Sequence, residues 1–253
     1  MTTAGAAASM PAAAAPAKKG IFELRYFRLR NMAENQSQRV GDFLRNAVLP
    51  AAQRAGIGPV GVFRNVIGGA EGPFIMMLIG FPSLAGMEAA REKLNEDKEY
   101  LKQTDTFNAQ PGLGYMRMEN SLLRGFDSMP SIEVPPTDSK RAGRVFEVRT
   151  YESNNMATLR RKMKMFDDGE IGIFRRVGMQ PVFFGETIVG RNMPNLTYML
   201  GYDDLAHREK TWRAFGGDPE WQKMRALPGL ADAEVVSNIT NFLVSPMPFS
   251  QIR

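Results

Sequence analysis

The stretch Ile21-Phe22-Glu23-Leu24-Arg25-Tyr26 alternates apolar and charged side chains, and it returns later in the chain as Val145-Phe146-Glu147-Val148-Arg149-Thr150. Two further echoes keep the same order: Phe81-Pro82-Ser83-Leu84 with Tyr202-Asp203-Asp204-Leu205, and Asp97-Lys98-Glu99-Tyr100 with Asp218-Pro219-Glu220-Trp221. The two later pairs share one offset, slightly shorter than that of the first pair, as a small insertion or deletion in one loop would produce. Agreement over three separated segments identifies a tandem duplication.

The period-two alternation marks a β-strand at the start of each copy. A long helix follows. In the second copy Met156, Leu159, Met163, Phe166, Ile173 and Val177 recur at three- and four-residue spacings, interrupted by the polar Glu170, and Asn154 or Asn155 supplies a cap. In the first copy Val40, Phe43, Leu44, Ala47 and Ala51 form the matching stripe, and Pro50 is expected to kink or stop that helix near its end. Two strands come next, over 59–67 and 73–81 and again over 181–188 and 195–202, with Gly68-Gly69 and Gly190-Arg191-Asn192 as the hairpin loops. A second helix starts near Leu84 and Leu205, and a short helical turn carries Tyr100 and Trp221. Last strands are expected over 114–124 and 233–244.

The order is therefore β-α-β-β-α-β twice, the ferredoxin-like unit, which covers one sheet face with helices and leaves the other bare. Two units in one chain can bury both bare faces together or close their sheet edges. The expected fold class is α+β: tandem ferredoxin-like repeats forming an intramolecular dimeric α/β barrel. The expected division is an Ala/Pro-rich disordered tail over 1–20, a first domain over 21–126, a linker over 127–143 containing Pro130, Pro135 and Pro136, and a second domain over 144–253.

The 253 residues are 43% hydrophobic and 23% charged, an ordinary globular composition. No run of about 18 apolar residues is present, so no transmembrane segment is expected. The absence of cysteine removes disulfides and thiolate metal sites, and a single histidine, His207, excludes zinc sites built on two or more. Metal sites are therefore not expected. The net charge is +5, but the densest basic cluster, Arg160, Arg161, Lys162 and Lys164, is followed at once by Asp167, Asp168 and Glu170. It reads as a solvated helix face, and nucleic acid is not an expected partner. The tail is not an intact signal peptide. The compartment stays open: a soluble chain, cytoplasmic or exported if a signal peptide lies upstream.

Phe22-Glu23-Leu24-Arg25-Tyr26, Phe146-Glu147-Val148-Arg149-Thr150-Tyr151 and the block from Asp203-Asp204-Leu205 to Asp218-Pro219-Glu220-Trp221 resemble the NIPSNAP family, within the dimeric α/β-barrel superfamily. The likeness covers nearly all of 21–244 and is stronger in the second copy. In the first copy Asn95-Glu96-Asp97-Lys98 replaces the Gly-Gly-Asp-Pro type of turn and Tyr100 replaces the tryptophan. The resemblance implies a protein of uncharacterised function, a small-molecule-binding or interaction module. Fold-level likeness to cofactor-independent monooxygenases and isomerase-like proteins supplies the alternative, an enzyme working in the barrel cavity. No catalytic residue set transfers.

The candidate ligand-binding residues come from the strands and from the second copy's helices. Alternation puts Phe22, Leu24 and Tyr26 on one face of the first strand and Glu23, Arg25 and Phe27 on the other; Phe146 and Val148 likewise oppose Glu147, Arg149 and Tyr151. With the apolar set expected against the helices, Glu23, Arg25, Glu147 and Arg149 would face the barrel interior. There they would form either a cross-domain ion-pair network or an anchor for a small acidic ligand, since Arg presents a fork to carboxylates. Tyr198 and Tyr202 could line a cavity on their strand, and Trp221 could stack on a ligand or simply pack. His207 is a surface residue, a proton-transfer group or a haem ligand on three competing readings. Otherwise no cofactor is expected. A small apolar or acidic ligand and a homo-oligomer are the open partner readings.

Overall fold

The computed structural model of the chain describes residues 18–30, 35–69, 72–136 and 144–253. Of the tail expected to be disordered over 1–20, residues 1–17 lie outside the described residues, as does the last part of the linker, 137–143. Lys19, by contrast, pairs with Asp127, and Gly20 is buried and bonded to Pro130, because the chain there is held against the end of the barrel. The first copy contributes strands β1 (Ile21–Arg28), β2 (Val60–Ile67), β3 (Phe74–Phe81) and β4 (Arg117–Gly125). The second contributes β5 (Val145–Glu152), β6 (Gln180–Val189), β7 (Asn195–Tyr202) and β8 (Asn238–Pro246). They close into one antiparallel barrel in the order β1-β3-β2-β8-β5-β7-β6-β4. Each copy forms a four-stranded sheet, β4-β1-β3-β2 or β8-β5-β7-β6. The copies meet at two seams, β2 with β8 and β4 with β6. Closure at both seams leaves neither sheet an open edge.

Helices cover the outside of each sheet. After β1 come α1 (Gln36–Phe43), a π-helical stretch (Leu44–Val48) and α2 (Leu49–Ala55). After β5 the pattern repeats as α5 (Met156–Met165), a π-helical stretch (Phe166–Glu170) and α6 (Ile171–Arg176). Asn155 caps α5. Pro50 does not stop the first-copy helix: it occupies the first turn of α2, just after the wider π turn, where its missing N–H is cheap. After β3 and β7 come α3 (Leu84–Glu96) with α4 (Lys98–Asn108), and α7 (Leu205–Gly217) with α8 (Pro219–Arg225). Asp97 and Asp218 cap α4 and α8, with Pro219 at the first position of α8. The last strands start later than the alternation suggests, because Asp232–Val235 forms a short helix, α9, and Gly112 turns the chain at a positive φ before β4.

The apolar residues form three cores. One lies between each sheet and its helices. The third fills the barrel interior, where Phe22, Leu24, Phe63, Met76, Phe146 and Met199 meet from both copies. This reverses the expected facing of β1 and β5. The Phe22/Leu24/Tyr26 and Phe146/Val148 sets point into the barrel, and Glu23, Arg25, Glu147 and Arg149 point toward the helices. The physical reason is solvation. The interior is enclosed by sheet on all sides, whereas the helix layer supplies polar partners and lets Arg25 and Arg149 keep 22% and 14% of their side-chain surface exposed.

The barrel is a cup. At the end where β4 and β8 finish, the chain folds back across the opening twice. The Pro130 carbonyl accepts from the Gly20 N–H, the Glu133 N–H donates to Val182, and Ile132 packs against the interior core, while Phe126 and Met129 are buried in the second copy's helix-side core. The described part of the linker is thus packed structure rather than a loose tether. After β8 the Met247 and Gln251 N–H groups donate to Val62 and Val60, and Ile252 enters the interior core. The opposite end, ringed by the two hairpin loops, stays open.

Phe63 and Phe146 touch edge to face across the two copies, with ring centroids 5.3 Å apart. Gly201 makes room for this ring, since a Cβ there would lie 3.0 Å from Phe146. Phe146→Ala is expected to cost about 3–5 kcal/mol of unfolding free energy, read as a urea-midpoint shift at unchanged slope. A midpoint within error of wild type would show that the interior is not the shared core.

Candidate functional site

Two polar regions stand out. The first lies between the second sheet and its helices, centred on Glu147, which is fully buried. Its Oε1 accepts from Arg149 Nη1 (2.8 Å), Arg208 Nη2 (2.7 Å) and Asn241 Nδ2 (2.8 Å). Its Oε2 accepts from Arg208 Nε (2.8 Å), Trp212 Nε1 (2.9 Å) and the Tyr202 hydroxyl (3.3 Å). Burial alone would raise the carboxyl's pKa, but these donors, Arg208 first, outweigh it and hold Glu147 down to about 2. Arg149 also stacks on Trp212, 4.6 Å from the ring centre, and donates to the Tyr151 hydroxyl (3.3 Å), which is bonded to Tyr198 (2.9 Å).

Beyond Tyr151 the same layer holds a buried ion pair. Lys162 is 1% exposed, and its Nζ donates to Glu170 (3.0 Å) and lies 3.6 Å from Asp232. Phe166, Trp221 and Tyr151 surround the ammonium at 4.7, 5.3 and 5.5 Å from their ring centres. Burial works against the charged lysine, but the carboxylates outweigh it and its pKa is raised.

The first copy keeps only a remnant of this arrangement. Glu23 bonds to Arg25 through Nε (3.0 Å) and Nη2 (2.7 Å), with Arg91 at 3.6 Å. Strand register matches Arg25 opposite Met77 with Arg149 opposite Tyr198. By the same repeat, Phe27 stands for Tyr151, Val40 for Lys162 and Val48 for Glu170. Both networks stay within their own copy, so neither is the cross-domain network expected from the sequence.

The second polar region is the open end of the barrel, a cavity of about 220 Å³ lined by both copies. Tyr26, Phe74 and Phe242 form an aromatic wall, with ring centroids 5.3 to 6.3 Å apart and edge-to-face geometry. Thr150, Thr187, Asn195, Thr197 and Thr240 line the facing wall. Thr150 and Thr197 share a hydroxyl–hydroxyl bond of 2.9 Å, and Thr187 donates to Asn195 Oδ1 at 2.6 Å. At the rim Arg28 stacks on Tyr26 and Phe74, 5.0 and 5.2 Å from the ring centres, and binds Glu119 through Nε and Nη2 at 3.1 and 3.0 Å. Arg117 (2.6 Å) and Arg191 (3.3 Å) reach the same carboxylate, and these donors outweigh burial and lower its pKa.

The NIPSNAP family profile matches residues 22–128 and again 146–251. The chain belongs to the NIPSNAP family. Among solved structures, it is similar to a proposed monooxygenase from Fusobacterium nucleatum at 6% identity and a TM-score of 0.60, covering 90% of this chain and 93% of that one. A proposed monooxygenase from Lactobacillus acidophilus aligns at 12% identity and a TM-score of 0.57, covering 90% and 94%. An uncharacterised NIPSNAP-like domain protein from Burkholderia xenovorans matches at 23% identity and a TM-score of 0.38, over 42% of this chain and 88% of its own. No curated protein matches. At such identities the two monooxygenase likenesses speak for the fold alone. No helix among the described residues is long and apolar enough to cross a membrane.

Of the residues singled out from this NIPSNAP sequence, Glu147, Arg149, Tyr151, Tyr198 and Tyr202 come together in one network, and Trp221 joins it through Lys162. Glu23 and Arg25 form the separate first-copy pair. His207 lies at the margin: its Nδ1 accepts from the Asp203 N–H (3.1 Å), and its ring stands edge-on to Tyr202 at 6.3 Å. Lys162 was not among the candidates. It belongs to the cluster read as a solvated face, yet it sits three residues after Leu159 and four before Phe166, on the buried stripe. Glu170 interrupting that stripe was the signal that a cation must be buried beside it. The mouth residues were also missed, because threonines on strands carry no motif.

Glu147 has a pKa depressed from an ordinary value of about 4.3 to about 2, so its stabilisation is full above pH ~4.3 and is lost as pH falls toward 2. At about 1.4 kcal/mol per pH unit this is ~3 kcal/mol. Glu147→Gln should lower stability at pH 7 and flatten the decline between pH 5 and 2, roughly the window of that titration. Parallel acid profiles for the two proteins, in urea midpoints across that range, would contradict the assignment.

Proposed function

We propose that this NIPSNAP protein is a small-molecule-binding module whose ligand occupies the open mouth of the barrel. The observation that carries this reading is the cavity of about 220 Å³ with an aromatic wall on one side and a hydroxyl wall on the other. Convergent polar groups beside an apolar surface are the usual make-up of ligand sites. The walls differ because the copies have diverged: Tyr26 pairs in register with Met76 and Glu119, whereas its counterpart Thr150 pairs with Thr197 and Thr240.

The Glu147 network supports a structural role for the second region. Each of its oxygens already accepts three hydrogen bonds, which leaves no lone pair for a ligand. The residues on which an enzyme reading would rest, Glu147 and Arg149, thus lie behind the sheet, away from the mouth. At the mouth the titratable groups are Arg28 and Arg191, both bonded to Glu119, Glu119 itself, and Tyr26, whose hydroxyl is pushed well above its ordinary pKa by burial. None is poised as a general base near neutral pH. Binding is the reading these side chains favour.

Thr240 is exposed and lines the cavity, so Thr240→Trp should fill the mouth without disturbing a core. Incubated with a small-molecule extract and examined by native mass spectrometry, the wild-type protein is expected to carry a bound species that Thr240→Trp loses, at an unchanged urea midpoint. Retention of the species by Thr240→Trp at wild-type occupancy, or no bound species on wild type, would overturn the proposal.

A further inference from the structure

We infer that the barrel mouth selects an uncharged compound that places a single ring with a hydroxyl or carbonyl edge between the two walls. This inference rests on the mouth being the ligand site.

Size comes first. At roughly 30 Å³ per liquid water, a cavity of about 220 Å³ holds about seven waters. That volume seats a single substituted ring between the two walls, and anything larger would project past the rim into solvent.

Shape and polarity follow from the two walls. Tyr26 and Phe242 are half-buried and show ring surface to the cavity, backed by the fully buried Phe74. An apolar ring face against them replaces poorly satisfied water. The opposite wall offers neutral donors and acceptors at different depths. Asn195 is committed: it accepts from Thr187 and donates to the Arg191 and Asn192 carbonyls at 2.8 and 2.9 Å. The Thr150–Thr197 pair uses only one of its two hydroxyl hydrogens, so the other can serve a ligand. Thr240 extends this wall to the rim. A ligand that sets a hydroxyl or carbonyl against Thr150 and Thr197 while laying its ring on Tyr26 and Phe242 satisfies both walls at once.

Charge is decided at the rim. Glu119 gathers Arg28, Arg117 and Arg191 at the rim, so each of these arginines already has a carboxylate partner above the hydroxyl and ring walls. A ligand carboxylate would have to stay at the rim to share those arginines with Glu119, away from the threonine wall, and a ligand ammonium would meet the three arginines before it met Glu119. Entering a half-enclosed cavity uncompensated, either ion gives up solvation that threonine hydroxyls do not replace. A neutral ligand avoids both costs, and the Tyr26 phenol, its pKa raised, remains a neutral hydrogen-bonding group.

Three probes with one ring test this: cyclohexanol, cyclohexanecarboxylate and cyclohexylammonium. Each is titrated into full-length protein carrying ¹³C-methyl threonine and followed by NMR, with Kd taken from methyl shifts. Cyclohexanol is expected to shift the methyls of Thr150, Thr197 and Thr240 and to bind at least tenfold more tightly than either ion. Thr197→Val, which keeps the shape and removes the hydroxyl, should weaken cyclohexanol about fivefold. Equal or tighter binding of an ion at the same methyls would overturn the selectivity while leaving the mouth as the site. Failure of all three probes to move those methyls would overturn the inference and count against the mouth itself.

Discussion

Everything in this molecule depends on the mutual burial of two sheet faces. A single β-α-β-β-α-β unit covers one face of its sheet with helices and leaves the other to water. Here the two bare faces curve around a common interior, so that Phe22, Leu24 and Met76 from one copy meet Phe146, Val148 and Met199 from the other. The β2–β8 and β4–β6 seams close the ring, and the two segments after β4 and β8 cap one end. Because the copies are joined in one chain, the association that separate units would need is intramolecular.

That burial also sorts the polar residues. The interior is sealed by sheet and capped at one end, so charge is expelled from it except at the open mouth. On the helix side, Glu147 and Arg149 find Arg208, Trp212 and Asn241, while Lys162 finds Glu170 and three aromatic rings. The first copy, with Val40 and Val48 in place of Lys162 and Glu170, fills the equivalent space with hydrocarbon. The second copy thus carries an extended buried ionic framework, of which the first has only the Glu23–Arg25 pair. At the mouth the asymmetry takes a different form, with aromatic surface mainly from the first copy and hydroxyls mainly from the second.

Much of this was legible in the sequence. The repeated Phe-Glu-Leu/Val-Arg strand and the matched Asp-containing turns gave the duplication, the element order and the barrel, because strand alternation and helix caps are local signals. Asn155, Asp97 and Asp218 cap the helices the spacing indicated. Facing was not legible. In a closed barrel both sides of every strand are covered, so alternation separates two sets without saying which set points inward. The same ambiguity hid Lys162, since an isolated lysine among charged neighbours looks solvated until the helix phase is traced through Leu159 and Phe166. The cavity was least legible of all, for it is made by seven strands whose lining residues are common on any strand.

The most direct test of the shared interior is to separate the copies. Residues 144–253, expressed alone, would expose Phe146, Val148, Val182, Phe183 and Met199 on an uncovered sheet face. Sedimentation velocity with circular dichroism over a range of concentrations is expected to show either a self-associated dimer that rebuilds the barrel or an unfolded chain, with no folded monomer. A monomer that unfolds cooperatively, with the stability of the intact protein, would contradict the account.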